Sequence, residues 1–309
     1  MNIFICGGSG YLAGSLAKEL SKKYNVIVGT RFPNKIINYK KKIKIKKINY
    51  LSSKSLIESF KNVDIVFHLV GMSKKDSFKN KKKSVDFKKK ITRNIIKAAS
   101  INKCSKLIYL SSIQVYKNFH KKKYISEKSK IQNHDAYSKT HLAAEKILLK
   151  KYLNIKNIVV IRAANIFGIN LINNSQEIFN NLANNFCYQA IKFNEIKVQD
   201  HSVVRNFVPL NIFIKFIKIV ILKKNLSRLN LFNLGYKSLS LGNLCKLILK
   251  RYLRLYKKKC DLIFLQKYNK IATNINFYSS LKNFKYSKDV INHELDNLLK
   301  TFKKKVKYI

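Results

Sequence analysis

The chain has 309 residues, of which 46% are hydrophobic, so it is long and apolar enough for a large α/β domain plus a smaller one, and wholesale disorder is excluded. Its 64 Lys and Arg residues against 15 Asp and Glu give a formal net charge of +49, which attracts nucleic acid, anionic lipid or phosphorylated substrates. Without a stretch of roughly 18–20 apolar residues or a signal-peptide pattern, we expect a cytoplasmic protein with no membrane association.

Strand and helix patterns alternate from the first residues onward. Apolar runs predict strands at 2–6, 26–28, 43–48, 64–70, 107–111 and 158–161. Helical spacing predicts helices at 11–20, 56–60, 85–100 and 136–152. This β-α-β rhythm predicts a Rossmann-type, doubly wound parallel sheet within an α/β fold.

After residue 162 the rhythm changes. Helical stretches near 176–190, 211–223, 240–256 and 287–301 are separated by short strand-like pieces such as 231–234. We therefore expect a dinucleotide-binding domain over 1–165 and a smaller C-terminal α+β substrate lobe over 166–309, partly interleaved with the sheet.

A glycine-rich turn follows the first strand directly and opens the first helix. Glycine lets the backbone turn tightly and lets its N–H groups approach a pyrophosphate, while the helix N-terminus favours negative charge. This context predicts a dinucleotide site, whose residues are Gly7, Gly8, Ser9, Gly10, Tyr11 and Leu12.

The end of the second strand bears on the choice of dinucleotide. An acidic residue there ordinarily binds the ribose 2′-hydroxyl of NAD, but this chain has Thr30 and Arg31. Those side chains suit a 2′-phosphate, so NADP is slightly favoured over NAD; Arg31 as a plain surface charge is the alternative.

Further segments carry a resemblance to a known family. With the glycine turn, the segments Ser111-Ser112-Ile113-Gln114 and Tyr137-Ser138-Lys139-Thr140-His141 resemble the extended short-chain dehydrogenase/reductase family, in its nucleotide-sugar epimerase/dehydratase branch, which includes UDP-glucose 4-epimerase-like proteins. The other segments that match are 64–71, 162–168, 205–208 and 232–235.

The resemblance implies specific roles for some of these residues. Ser112 and Tyr137 correspond to the family's hydroxyl and acid/base pair, and Leu69 lies on the cofactor side of the fourth strand. Asn165 and Arg205 correspond to residues that meet the nucleotide-sugar substrate. A homodimer formed through the helices near 84–101 and 136–152 is a further expectation.

The chain departs from the family pattern four residues after Tyr137. A tyrosine with a free pKa near 10 needs a neighbouring cation to act as a base near neutral pH, and the family places a lysine there. Here the residue is His141, which we interpret as a functional replacement that binds the ribose and assists Tyr137. The competing interpretation of His141 is that the protein binds a cofactor but is catalytically impaired. A second departure is Lys88, which stands where the family often has Asn.

The residues after Ser112 restrict the reaction. The Asp-Glu pair of the branch's 4,6-dehydratases is replaced by Ile113-Gln114, which makes elimination of water unlikely. We therefore expect hydride transfer at C4 of a nucleotide sugar by an epimerase or a 4-keto reductase, with Tyr137 as acid/base.

The charge leaves one alternative of another class. The lysine runs are scattered along the chain, as solvated loops and faces are, and A/T-rich codons account for an excess of Lys, Asn and Ile. We therefore take the charge as compositional drift; the alternative is a catalytically impaired dinucleotide-fold protein that binds RNA or serves as a complex subunit. The five cysteines form no CxxC pair, so we expect reduced thiols and no metal site.

Overall fold

The computed structural model describes residues 1–35, 43–71, 74–117, 124–132, 135–150, 154–169, 181–265, 276–277, 279–281 and 289–306. In the first half of the chain the elements are, in order, β1 (Asn2–Cys6), α1 (Tyr11–Leu20), β2 (Asn25–Thr30), β3 (Ile43–Lys47), α2 (Ser53–Ser59), β4 (Ile65–His68), α3 (Lys74–Lys79), α4 (Lys81–Ile101), β5 (Lys106–Ser112), β6 (Tyr124–Ile125), α5 (Ala136–Leu148) and β7 (Asn157–Ala163). In the second half they are β8 (Asn165–Phe167), α6 (Leu182–Phe193), β9 (Glu195–Val198), β10 (Val204–Pro209), α7 (Leu210–Leu222), β11 (Leu229–Leu234), β12 (Lys237–Ser240), α8 (Leu241–Tyr256), β13 (Asp261–Phe264), β14 (Asn276–Phe277) and α9 (Val290–Val306).

The central layer is a parallel sheet with the strand order β11-β7-β5-β4-β1-β2-β3. Its middle strands are buried on both faces, as in β7, where every residue is buried. The order reverses direction at β1, as a doubly wound sheet requires, so the predicted Rossmann-type fold is confirmed. Because all these strands run in one direction, the turns after β1, β2, β4 and β5 meet at one edge.

Alternating side chains divide the core into two layers. Ile3 and Ile5 of β1 face α1 and α7, whereas Phe4 and Cys6 face α2 and α4. Within the described residues helices cover both faces of the sheet, so the turns at the carboxyl ends of its strands are the accessible part.

The second lobe has its own small sheets and core. β12, β10 and β8 form one sheet, and β13 pairs with β9. Helices α6, α8 and α9 contribute the apolar side chains of a third buried cluster. These short strands lay outside the sequence predictions, and the first residues of the helix predicted at 176–190 lie outside the described residues.

The two halves of the chain share the main sheet. β11 pairs with β7 in parallel over Leu229–Leu234, and α7 packs in the same apolar layer as α1. Residues after 165 therefore contribute to the main sheet and to the helices that cover it. The domain boundary at residue 165 stays a prediction. Among the described helices, none has both the length and the hydropathy to cross a membrane.

Candidate active site

The glycine turn lies where β1 and β4 end. Gly7 has a φ of +93°, and a Cβ on it would lie 3.0 Å from the backbone of Leu69 and Val70. A side chain is therefore excluded by both conformation and space. Gly10 precedes α1 and offers no side chain to cap it, so the first turn of the helix faces the cleft with its backbone.

A tyrosine that the sequence analysis did not single out braces this turn. The Tyr50 hydroxyl accepts the Gly7 N–H at 2.8 Å and donates to the Gly29 carbonyl at 2.7 Å. It thereby joins the end of β1 to the end of β2. No local pattern marks Tyr50 for this role, because its partners lie more than 20 residues away in sequence.

The other predicted cofactor residues lie around the same edge. Thr30 is buried, and its hydroxyl accepts the Phe32 N–H at 3.1 Å, so it shapes its own turn. The Arg31 guanidinium is exposed and lies 5.3 Å from the Phe32 ring centroid. Leu69 follows β4 directly beside Gly7. The Tyr11 hydroxyl donates to the Gly168 carbonyl at 2.6 Å, so its side chain points towards the second lobe.

A cavity of about 220 Å³ brings together most of the remaining predicted site residues. Ser112 and Tyr137 line it on the sheet side, and Asn165 and Arg205 line it on the side of the second lobe. Leu12, from the glycine turn, also lines it. The cavity therefore joins the end of β5, the start of α5 and the two strands β8 and β10.

Ser112 and Tyr137 are held by local structure. The Ser112 hydroxyl accepts the Gln114 N–H at 3.2 Å in the turn that follows β5. Asp135 caps α5 through the Ser138 N–H at 2.6 Å, which fixes the first turn of the helix and with it Tyr137. Burial, together with the charge of Asp135, raises the pKa of Tyr137 to about 12, and a hydrogen bond with Ser112 opposes part of this shift.

His141 lies behind Tyr137 and does not line the cavity. The two rings meet edge to face, with their centroids 4.6 Å apart, and His141 Nδ1 shares a hydrogen bond of 2.8 Å with the Tyr109 hydroxyl. Burial and the charge of Lys88 hold the pKa of His141 well below its usual value. The imidazole is therefore neutral near pH 7, and the predicted role of His141 as the functional replacement for a lysine stays a prediction.

A ladder of polar contacts connects β5 with α5. Tyr109 and Ser111 project from the same face of β5, and they meet His141 and Glu145, which are four residues apart on α5. The Ser111 hydroxyl donates to Glu145 Oε1 at 2.5 Å. The two-residue spacing of Tyr109 and Ser111 on β5 and the four-residue spacing of His141 and Glu145 on α5 could have predicted this ladder, but the sequence analysis did not use them.

The polar groups on the second-lobe side of the cavity are positioned by the small sheet. Asn165 Nδ2 donates to the Asn206 carbonyl at 2.9 Å, across the pairing of β8 with β10. Arg205 is half-buried, and burial lowers the pKa of its guanidinium. A cation and an amide thus face the serine and the tyrosine across the cavity.

The fold and the site together define a dinucleotide-binding α/β protein with a serine–tyrosine pair at the mouth of the glycine turn. The sequence profile of the NAD dependent epimerase/dehydratase family matches residues 3–235. The chain therefore belongs to this family, which is part of the extended short-chain dehydrogenase/reductases, and the predicted resemblance is confirmed.

Solved structures with the same fold cover nearly the whole chain. UDP-glucose 4-epimerase from Thermotoga maritima has a TM-score of 0.81 at 17% identity, over 99% of this chain and 100% of that one. UDP-glucuronic acid 4-epimerase from Bacillus cereus, in complex with UDP-glucuronic acid and NAD, has a TM-score of 0.76 at 17% identity, over 97% and 100%.

A dehydratase is similar to the same degree. The NAD-dependent NDP-hexosamine 5,6-dehydratase TunA of tunicamycin biosynthesis has a TM-score of 0.79 at 18% identity, over 98% of each chain. A comparison with curated proteins found no relative.

Proposed function

We propose that the protein is an NAD(P)-dependent nucleotide-sugar epimerase or 4-keto reductase that acts at C4, with Tyr137 as the acid/base. The observation that carries this proposal is the single cavity lined by Ser112, Tyr137, Asn165 and Arg205 beside the glycine turn. Family membership and the UDP-sugar complexes of similar structures support the same class of substrate.

The glycine turn fits a nicotinamide dinucleotide. The narrow passage at Gly7 admits backbone but no side chain, and the N-terminus of α1 favours a pyrophosphate. When bound, such a cofactor accepts a hydride from the sugar carbon or returns it. Arg31, exposed at the end of β2, supports the slight preference for NADP, which remains a proposal.

The residues of the chain would then handle the proton and the substrate. Tyr137 takes the proton of the C4 hydroxyl or gives it back to the carbonyl oxygen, while the Ser112 hydroxyl holds that oxygen by a hydrogen bond. Arg205 meets the negative charge of the nucleotide diphosphate with a charge-assisted contact, and Asn165 lies beside it. The cavity has Ile113 and Gln114 where a 4,6-dehydratase would have carboxylates, so dehydration is disfavoured.

The test begins with binding and then removes the phenol. NAD⁺ or NADP⁺ should raise the melting temperature, with a larger shift for NADP⁺, because a ligand at 100 times its Kd stabilises the folded state by about 2.7 kcal/mol. Tyr137→Phe should keep that shift and lower the turnover of a UDP-sugar by about 10²–10⁴-fold, the range of general acid–base catalysis. Mass spectrometry of the purified protein identifies any dinucleotide or nucleotide sugar that it retains.

The matched control is Tyr24→Phe, since Tyr24 precedes β2 and so lies at the opposite edge of the sheet. It should leave both binding and turnover unchanged. A protein that melts at the same temperature with every dinucleotide is not this enzyme, and the alternative of RNA binding or a complex subunit then applies. Unchanged turnover in Tyr137→Phe would refute the acid/base role alone.

A further inference from the structure

A buried lysine lies behind the serine–tyrosine pair. Lys88, on α4, is 4% exposed, and its Nζ donates to the Val70 carbonyl at 2.5 Å. The same Nζ lies 4.7 Å from the ring centroid of Tyr109. Among the described residues no carboxylate pairs with Lys88, and its charged group is surrounded by aromatic and imidazole side chains instead.

The groups around Lys88 form a path to the cavity. His68 of β4, Tyr109 of β5 and His141 of α5 are the titratable side chains that face it from the described elements packed against α4. Tyr109 bonds His141, and the His141 ring contacts Tyr137. His68 is not part of this path, because its Nε2 forms a hydrogen bond of 3.0 Å with the Thr92 hydroxyl.

Tyr137 needs a cation that its own helix does not provide. The residue one turn further on is His141, which is buried and neutral, and Lys139 is exposed on another side of the helix. A phenol whose pKa is raised by burial releases its proton only when positive charge stabilises the phenolate. Lys88 is the buried ammonium connected to it by contacts.

We propose that Lys88 is the cationic group of this site and acts as a positioning residue for Tyr137, through Tyr109 and His141. Burial and the Lys88 ammonium together keep His141 neutral beside the Tyr109 hydroxyl, and the positive potential of the ammonium favours the Tyr137 phenolate. The lysine that this helix α5 lacks is thus replaced by one from the neighbouring helix α4. The inference rests on the proposed acid/base role of Tyr137.

The charge of Lys88 is sensitive to pH near neutrality. Burial lowers its pKa to about 7, so the ammonium is present below that pH and lost as the pH rises through it. The contribution of Lys88 to turnover should therefore be largest on the acid side of pH 7 and should fade on the alkaline side.

The first experiment compares turnover of a UDP-sugar by the cofactor-loaded protein and by Lys88→Met across pH. We expect the variant to be slower by about tenfold or more below pH 7, since loss of a nearby charge moves a pKa by about one unit or more. The two rates should converge above pH 8 to 9, where the lysine is mostly uncharged, given its pKa of about 7. Lys88→Gln, which keeps an N–H donor for Val70 without the charge, should behave like Lys88→Met.

Two further variants separate charge from packing. Lys90→Met, an exposed position on the same helix, should leave the profile unchanged. The double variant Lys88→Met, His141→Lys returns an amine to the neighbourhood of Tyr137 and should restore part of the lost rate. A deficit that is the same at every pH, or no deficit at all, would overturn the proposal.

A measurement without substrate or cofactor keeps the inference separate from the proposed function. Titration of the His141 imidazole by NMR, assigned with His141→Gln, should show its pKa rising in Lys88→Met, because the neighbouring charge that depresses it is gone. An unchanged His141 pKa refutes the coupling. If Tyr137→Phe retains full turnover, the proposed acid/base role of Tyr137 fails, whatever the outcome of this titration.

Discussion

Glu145 shows how a single residue can join three elements beneath the site. Its Oε1 accepts hydrogen bonds from the Ser111 hydroxyl at 2.5 Å and from Arg162 Nε at 3.1 Å, and its Oε2 accepts from Arg162 Nη2 at 2.6 Å. Both charged side chains are almost fully buried. The Glu145–Arg162 pair therefore fixes α5 to β5 and β7. Because Ser111 directly precedes Ser112, these contacts lie immediately beneath the cavity.

Removing the charge of Glu145 should cost far more than removing a surface carboxylate. Glu145→Gln leaves the Arg162 guanidinium buried without a counter-charge, which costs about 3–5 kcal/mol of unfolding free energy. Urea denaturation measures the loss. Glu58→Gln is the control, since its pair with Lys61 is exposed and should contribute nothing measurable. An equal effect of the two substitutions would show that the buried pair is not a stabilising feature.

At the scale of elements, the sequence predicted what periodicity encodes. β1, β4, β5 and β7 are apolar runs in a buried parallel sheet, and their order with the helices between them specifies the Rossmann topology. β8 has three residues, which is too short for a recognisable periodic pattern. Its pairing with β10 therefore could not be predicted from the local sequence and depends on contacts made in the folded chain. The serine–tyrosine pair was predicted from the resemblance to the family, whereas the contacts of the lysine on α4 arise only from tertiary packing.

Lys106 illustrates a tertiary contact of this kind between a strand and a helix. At the start of β5, its Nζ donates to the carbonyls of Val220, Ile221 and Lys223 at 2.9, 2.8 and 3.3 Å, and so caps the C-terminus of α7. More than 110 residues separate the partners. The lysine is buried, and burial lowers its pKa.

Lys106→Met should loosen the end of α7 while leaving the sheet intact. Buried carbonyls without a donor cost about 1–3 kcal/mol, so we expect a loss of that size in chemical denaturation. In the Lys106→Met variant, hydrogen exchange in the last turn of α7 should become faster than in the unsubstituted protein, while exchange in β5 should stay the same. Lys44→Met removes an exposed lysine of β3, at the other side of the sheet, and should change neither quantity. Unaltered exchange in α7 of the Lys106 variant would show that the cap contributes little.

At the scale of the whole molecule, charge sets the conditions for stability. The chain has 15 acidic residues for 64 basic ones, so most cations lack a carboxylate partner and repel each other. The buried basic side chains of the described residues, Lys88, Lys106 and Arg162, each have a defined set of contacts. The remaining lysines whose side chains the structure describes keep their ammonium groups in or near solvent, where salt acts on them.

Screening should therefore stabilise the folded state. Raising the ionic strength from about 0.01 M to about 0.15 M shortens the Debye length from about 30 Å to about 8 Å, which is less than the width of the molecule. The compact state gains more from this than the expanded one, so the melting temperature should rise with sodium chloride in calorimetry at constant pH. Inorganic phosphate at equal ionic strength is the comparison, because a larger rise with phosphate reports anion binding in the cleft rather than screening. A melting temperature that stays level or falls with chloride would mean that the cations are already too far apart to repel, and the net charge would then have no bearing on folding.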